Sequence, residues 1–151
     1  MCTRTQFSDE RRETKKVERV TPGVWREPIV VADSSDGLRV DRIHYPPGGH
    51  THWHLHTRDQ VLYGELGRGW IQFEGGHPAA LTPGQVIQVP VGARHWHGAA
   101  SDTSLVHLAV TAGGDTVWLG EVSAEEYVGC DSVYGTGTED PDSALGTYRR
   151  Q

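Results

Sequence analysis

The sequence predicts an all-β domain, a sandwich or closed barrel of antiparallel strands with one short helix near its C-terminal end. Three observations lead there. Short runs of β-forming residues recur between turns rich in glycine and proline, of which the 151 residues contain 19 and 8. Apolar and polar residues alternate within those runs, the period of a half-buried strand. Histidines also alternate, at positions 50, 52, 54 and 56 and again at 95 and 97.

The elements follow in order. Residues 25–32 and 38–45 read as strands separated by the turn Asp33-Ser34-Ser35-Asp36-Gly37, and Pro46-Pro47-Gly48-Gly49 turns the chain again. The histidine run comes next, then a strand at 60–65. Gly67-Arg68-Gly69 is a tight turn into a strand at 70–73, and Glu74-Gly75-Gly76-His77-Pro78 closes it. Pro83-Gly84 precedes a strand at 85–89, Pro90-Val91-Gly92-Ala93 turns, and 95–99 is extended. In the strand at 103–111, Leu105, His107 and Ala109 share a face. A strand at 117–122 ends the sheet. Ser123-Ala124-Glu125-Glu126 has the spacing of a capping box and starts the helix.

The length suits one domain able to bury a core without staples. Residues 1–19 are dense in mixed charge and read as a frayed arm or solvated helix. Residues 20–130 form the domain. Residues 131–151, rich in Gly, Thr, Ser and Asp, are expected to be disordered. Cys2 and Cys130 form no CxxC pair and no disulfide framework, so both are read as reduced thiols of a cytoplasmic protein. No run approaches a membrane span. A net charge of −6 disfavours a nucleic-acid partner.

All nine histidines lie between His44 and His107. If the whole run is extended, His50, His52, His54 and His56 share one face. Neutral imidazole is the commonest protein ligand for a divalent metal, so a one-sided ladder of histidines suggests a metal site. Trp53 and Trp96 alternate with the histidines and are expected to point away from it, as packing residues. Leu62 and Trp70 are further candidates to line the cavity, while His44 and His77 are expected to face solvent.

Turns and histidines together form a known pattern. Gly48, five residues, His54, one residue, His56, three residues, Gln60, six residues and Gly67 resembles the first motif of the cupin family. Gly84, five residues, Pro90-Val91-Gly92, two residues and His95 resembles the second. The resemblance covers roughly residues 38–120. It implies a double-stranded β-helix, the cupin jelly-roll barrel, often dimeric, with a divalent metal near its centre. The first motif usually has glutamate at Gln60, and the second usually ends in asparagine at Ala99.

The runs Trp53-His54-Leu55-His56-Thr57-Arg58-Asp59-Gln60, His95-Trp96-His97-Gly98-Ala99 and Trp118-Leu119-Gly120-Glu121-Val122 are similar to small single-domain cupins. That subgroup includes manganese-dependent hydroxynitrile lyases. The resemblance implies that His54, His56, Gln60 and His95 bind one divalent transition metal (Mn, Zn, Fe, Ni or Co). It also implies that His107 serves as the base; His97, on the same face as His95 two residues on, is a second catalytic candidate. The neighbourhood departs from that subgroup at Thr57, Asp59 and His50.

A neutral glutamine ligand leaves the metal's charge uncompensated, which strengthens its Lewis acidity and tilts the chemistry away from oxygen activation. The expected enzyme makes or breaks a C–C bond next to a carbonyl, as a hydroxynitrile lyase or aldol-type enzyme. Its partner is a small carbonyl or hydroxyl substrate, and it is expected to be a homodimer using residues near Trp25 to Val31. The alternatives are an aromatic polyketide cyclase, a non-heme iron dioxygenase and a non-catalytic small-molecule binding module. For His107 and His97 the competing reading is that of core histidines.

Overall fold

The computed structural model describes residues 15–16 and 19–134, with side chains described for 19–130. Most of the charged arm and most of the polar tail therefore lie outside the described residues, as does Cys2.

Among the described residues eleven strands and one helix follow in order: β1 (Lys15–Lys16), β2 (Trp25–Val30), β3 (Arg39–Tyr45), β4 (His54–His56), β5 (Gln60–Gly67), β6 (Gly69–Phe73), β7 (Ala79–Leu81), β8 (Val86–Val89), β9 (His95–Ala99), β10 (Leu105–Thr111), β11 (Thr116–Trp118) and α1 (Ala124–Tyr134). They form two antiparallel sheets, ordered β1-β2-β3-β10-β5-β8 and β11-β4-β9-β6-β7. The sheets face one another as a double-stranded β-helix, the expected fold. Among the described residues no helix is long and apolar enough to cross a membrane.

The interior is apolar because alternate residues of the facing strands point inward. Leu62, Ile71, Leu81, Val89, Ala99 and Leu105 are fully buried in one cluster with Val24, Tyr45 and Ala109. A second cluster lies on the other face of the β6 and β9 sheet. There Trp70 and Trp96 pack with Ala100, Val122 and Cys130, with Trp53 and Tyr127 against them. Helix α1 supplies Tyr127 and Cys130 and so covers that face. Trp96 points away from the inward-facing His95 and His97 as expected and meets His50 edge-on at 5.7 Å, while Trp70, expected as a cavity-lining candidate, shares this helix-covered cluster. Their positions follow from parity. Trp70 and Trp96 are one residue out of step with Ile71 and His95, which face the other way.

The helix starts where the capping box places it. The Ser123 backbone N–H donates to Glu126 Oε2 at 2.8 Å, and the Glu126 N–H donates to Ser123 Oγ at 3.2 Å. Its Tyr127 hydroxyl donates to the Ala99 carbonyl at 2.9 Å, tying the helix to β9.

Two glycines are required by close approach. A side chain at Gly67, which also has a φ of 76°, would overlap the Ser104 carbonyl oxygen. One at Gly98 would overlap the Cβ of His50, with the Gly49 carbonyl oxygen only 2.5 Å away. Gly98 thus lets β9 lie directly against the turn that precedes the first histidines.

Four features differ from expectation. Residues 15–16 of the charged arm, expected to be frayed or helical, pair with β2 as strand β1, and helix α1 runs on through residues 131–134, where the disordered tail was expected to begin. The short strand β7 was not anticipated, since three residues after Pro78 are too few to show a period. The run of alternating histidines is also not continuous strand. His50 and Thr51 make only isolated bridges, to Gly98 and Val20, and regular pairing starts at His54.

Candidate metal centre

The strand register explains how the site assembles. His54 on β4 sits directly opposite His95 on β9. On β11, Thr116 pairs with His56 and Trp118 with His54. On β9, His95 and His97 pair with Phe73 and Ile71 of β6. Across the barrel, β10 places Thr111 opposite Gln60 and His107 opposite Gly64 and Ile43. Alternation along β4, β9 and β10 then turns His54, His56, His95, His97 and His107 inward, all of them buried.

Ring centroids of His54 and His95 lie 4.2 Å apart, His54 and His56 5.1 Å, and His56 and His95 5.3 Å. His97 is 5.2 Å from His54 and 5.0 Å from His107. One ring nitrogen from each of His54, His95 and His97 falls within 4.8 Å of the others, close enough to hold a metal ion. Among the described residues this metal-competent cluster contains no carboxylate.

Partner chemistry orients the donors. Nδ1 of His54 donates to the His52 carbonyl at 2.9 Å, and Nδ1 of His95 donates to the Ala93 carbonyl at 2.9 Å. A carbonyl can only accept, so in both rings the lone pair is on Nε2. Nδ1 of His56 meets the Thr116 hydroxyl at 3.2 Å. The Gln60 side-chain NH2 donates to Thr111 Oγ1 at 3.1 Å, which points its carbonyl oxygen the other way. His56 Nε2, His95 Nε2 and Gln60 Oε1 are buried without any hydrogen-bond partner. Buried polar atoms without partners are costly unless something occupies them, and a divalent cation suits the lone pairs of His95 Nε2 and Gln60 Oε1.

All five imidazoles are held neutral. Burial, reinforced by neighbouring imidazoles, pushes His54 and His97 well below the ordinary histidine value. Burial brings His56, with His95 beside it, down to about 4, and does the same to His95 and His107. Neutral rings are the form that ligates metal and accepts protons. His107 is fully buried, and neither of its ring nitrogens completes a hydrogen bond.

The remaining histidines stand apart from this cluster. His50 bonds the Gly48 carbonyl through Nδ1 at 3.0 Å and stacks on Tyr127 at 4.9 Å, on the helix side. His52 is half-buried, and its carbonyl serves His54. His77 is exposed, as expected. His44, expected to face solvent, is instead half-buried because its ring stacks flat on Trp25 at 3.5 Å. Leu62 lies in the main core cluster beside Ala109.

Sequence reading gave Tyr45, Thr111, Thr116 and Trp118 no role at the site. The Tyr45 hydroxyl meets Nδ1 of His97 at 3.0 Å, and its ring stacks on His107 at 5.5 Å. The Trp118 ring lies 4.8 Å from His54. Thr111 could have been found by continuing the alternation from His107 through Ala109.

The chain matches known proteins in accord with this geometry. The cupin domain family model matches residues 41–111. The chain is 36% identical over 104 residues to (R)-mandelonitrile lyase from Granulicella tundricola, a match covering 67% of this chain and 74% of that one. It is similar to the crystal structure of a cupin-like protein from Thermotoga maritima, with a TM-score of 0.71 and 34% identity, over 78% of this chain and 92% of that one. The polyketide cyclase RemF from Streptomyces resistomycificus is similar in fold alone, with a TM-score of 0.63 and 18% identity over 84% of this chain and 91% of that one. By this sequence identity and this shared barrel, the chain belongs to the cupin family.

Proposed function

We propose that this chain is a divalent-metal-dependent enzyme that makes or breaks a C–C bond next to a carbonyl without redox chemistry, of the hydroxynitrile lyase or aldol type. The observation that carries the reading is a buried, neutral donor set whose polar atoms lack partners. His56 Nε2, His95 Nε2 and Gln60 Oε1 lack partners, and the unpartnered imidazole of His107 lies on the facing strand β10. The 36% identity to a mandelonitrile lyase supports the reaction class.

His54, His56, Gln60 and His95 would hold the metal, one of Mn, Zn, Fe, Ni or Co, since imidazole nitrogen and amide oxygen suit these ions. When bound, the metal supplies Lewis acidity toward a substrate hydroxyl or carbonyl oxygen, undiminished by an anionic protein ligand. Thr111 holds the Gln60 amide so that its oxygen, and not its nitrogen, is offered to the site. His107 accepts the hydroxyl proton of a cyanohydrin. As that O–H bond breaks, its electron pair forms the carbonyl, and the pair of the C–C bond leaves with cyanide. His107 then returns the proton to cyanide, so hydrogen cyanide and the aldehyde depart and the ring is neutral again. The apolar walls exclude water and keep His107 in its proton-accepting form.

An aromatic polyketide cyclase would need the same polarised carbonyl and base but a deeper apolar cavity. Leu62, Ile71, Leu81, Val89 and Leu105 form the apolar core of the barrel, and it is the 36% identity to a mandelonitrile lyase that puts the smaller substrate first. The homodimer belongs to the same reading. Beyond the two pairings of β1 with Arg26 and Trp25, β2 has no outer partner among the described residues, and Val30 and Val31 are exposed. An unpaired edge with apolar residues is a natural pairing surface.

The test is aldehyde release from mandelonitrile by metal-loaded protein, run beside a polyketide cyclisation assay. Metal-dependent release of benzaldehyde is expected. Cyclisation without any cyanohydrin cleavage would reverse the order of the two readings.

A further inference from the structure

We infer that Tyr45 sets the tautomer of His97, making that ring a neutral N–H donor to the substrate beside the metal rather than another metal ligand. The inference rests on the metal reading of His54 and His95. By distance alone His97 would qualify as a ligand, since one of its nitrogens lies within 4.8 Å of those of His54 and His95. Hydrogen bonding separates the three rings.

Tyr45 ends β3, opposite Leu105 of β10, and is buried. Among the described residues its hydroxyl has one partner, Nδ1 of His97 at 3.0 Å. A phenol has a single proton, and a buried O–H without an acceptor is strongly unfavourable. The hydroxyl therefore donates and Nδ1 accepts. A neutral imidazole that accepts at Nδ1 carries its proton on Nε2. His54 and His95 are set the other way, because their Nδ1 atoms face backbone carbonyls that can only accept. One cluster thus holds two rings that offer a lone pair and one that offers N–H.

Tyr45 is also fixed in place. It meets His97 edge-on at 6.0 Å and stacks on His107 at 5.5 Å. His97 and His107, 5.0 Å apart, then form a pair of opposite polarity, one donating and one accepting. The substrate that fits presents a proton to His107 and, near it, an oxygen or nitrogen that gains negative charge as the bond breaks. A donor aimed at that charge stabilises the transition state more than the ground state.

Ring ¹⁵N spectra of the metal-free protein at neutral pH, combined with metal content and kinetics of Tyr45→Phe, His97→Gln and His97→Ala, test the inference. The spectrum should show the His97 proton on Nε2 and the His54 and His95 protons on Nδ1. Tyr45→Phe should shift His97 toward a mixture of tautomers, leave manganese content unchanged and lower kcat about tenfold, the value of one hydrogen bond. His97→Gln, whose amide nitrogen can stand in for Nε2–H, should retain more kcat than His97→Ala. A wild-type His97 proton on Nδ1, a His97 spectrum unmoved by Tyr45→Phe, or loss of manganese from His97→Ala as complete as from His54→Ala would each overturn the inference. Retention of manganese by His54→Ala would instead defeat the metal reading, whatever the tautomer of His97.

Discussion

His107→Gln tests whether burial holds the proposed base neutral. Moving an imidazole from its ordinary 6.5 to about 4, as burial does for His107, is worth about 3 kcal/mol in full. The folded-state value is depressed, so the unfolded chain binds the extra proton. The stability this group contributes is complete above about pH 6.5 and is lost as pH falls toward 4. At pH 5 the unfolded chain holds His107 almost fully protonated while the folded chain holds it mostly neutral, so this one ring lowers stability by about 2 kcal/mol relative to pH 7.5. His107→Gln keeps a polar side chain and removes the titration. Urea unfolding of metal-free wild type and variant at both pH values gives four free energies. Their double difference should be about 2 kcal/mol, and any pH-independent cost of the substitution cancels in it. A double difference below about 0.5 kcal/mol would mean that the ring titrates in the fold as it does in the unfolded chain. The same variant should keep its metal and lose roughly 10²–10⁴-fold in kcat, the usual contribution of a positioned base. The acid limb of the wild-type rate should fall toward pH 4 and not near 6.5, because burial lowers the group that must stay unprotonated.

Three other predictions follow from the site and its support. Gln60→Glu should retain metal and lower non-redox turnover, since an added negative charge weakens Lewis acidity; equal or faster turnover at unchanged metal content would count against that role. Light scattering at micromolar concentration should give the mass of two chains, and Val31→Asp should shift it toward one; a wild-type mass of one chain would remove the homodimer. Gly98→Ala should cost about 1–3 kcal/mol in urea unfolding, because its methyl group meets the backbone of Gly49 and His50 and can displace β9; a change within about 0.5 kcal/mol would show that the two segments separate easily.

How far the site could be read from the chain depended on whether its contacts are periodic. His54 with His56, and His95 with His97, were legible because alternation on a strand fixes a common face. Extending that face back to His50 failed. The chain is not regular strand before His54, so parity is lost, and the ring of His50 stacks on Tyr127 under the helix. The helix start was legible because Ser123 and Glu126 satisfy each other's backbone donors locally. The groups that orient the donors were not legible. Thr111 reaches Gln60 across 51 positions and Thr116 reaches His56 across 60, both through strand register between distant segments. Tyr45 reads in sequence as the last apolar residue before Pro46-Pro47. Only the fold places its hydroxyl against His97.

The central claim is that the buried, neutral donors form a metal centre, and elemental analysis of the purified chain tests it most directly. The account predicts about one divalent transition metal per chain in the wild type, and far less in His54→Ala and His95→Ala, whose rings face one another across β4 and β9. Metal content that stays at the wild-type level in both variants would contradict it.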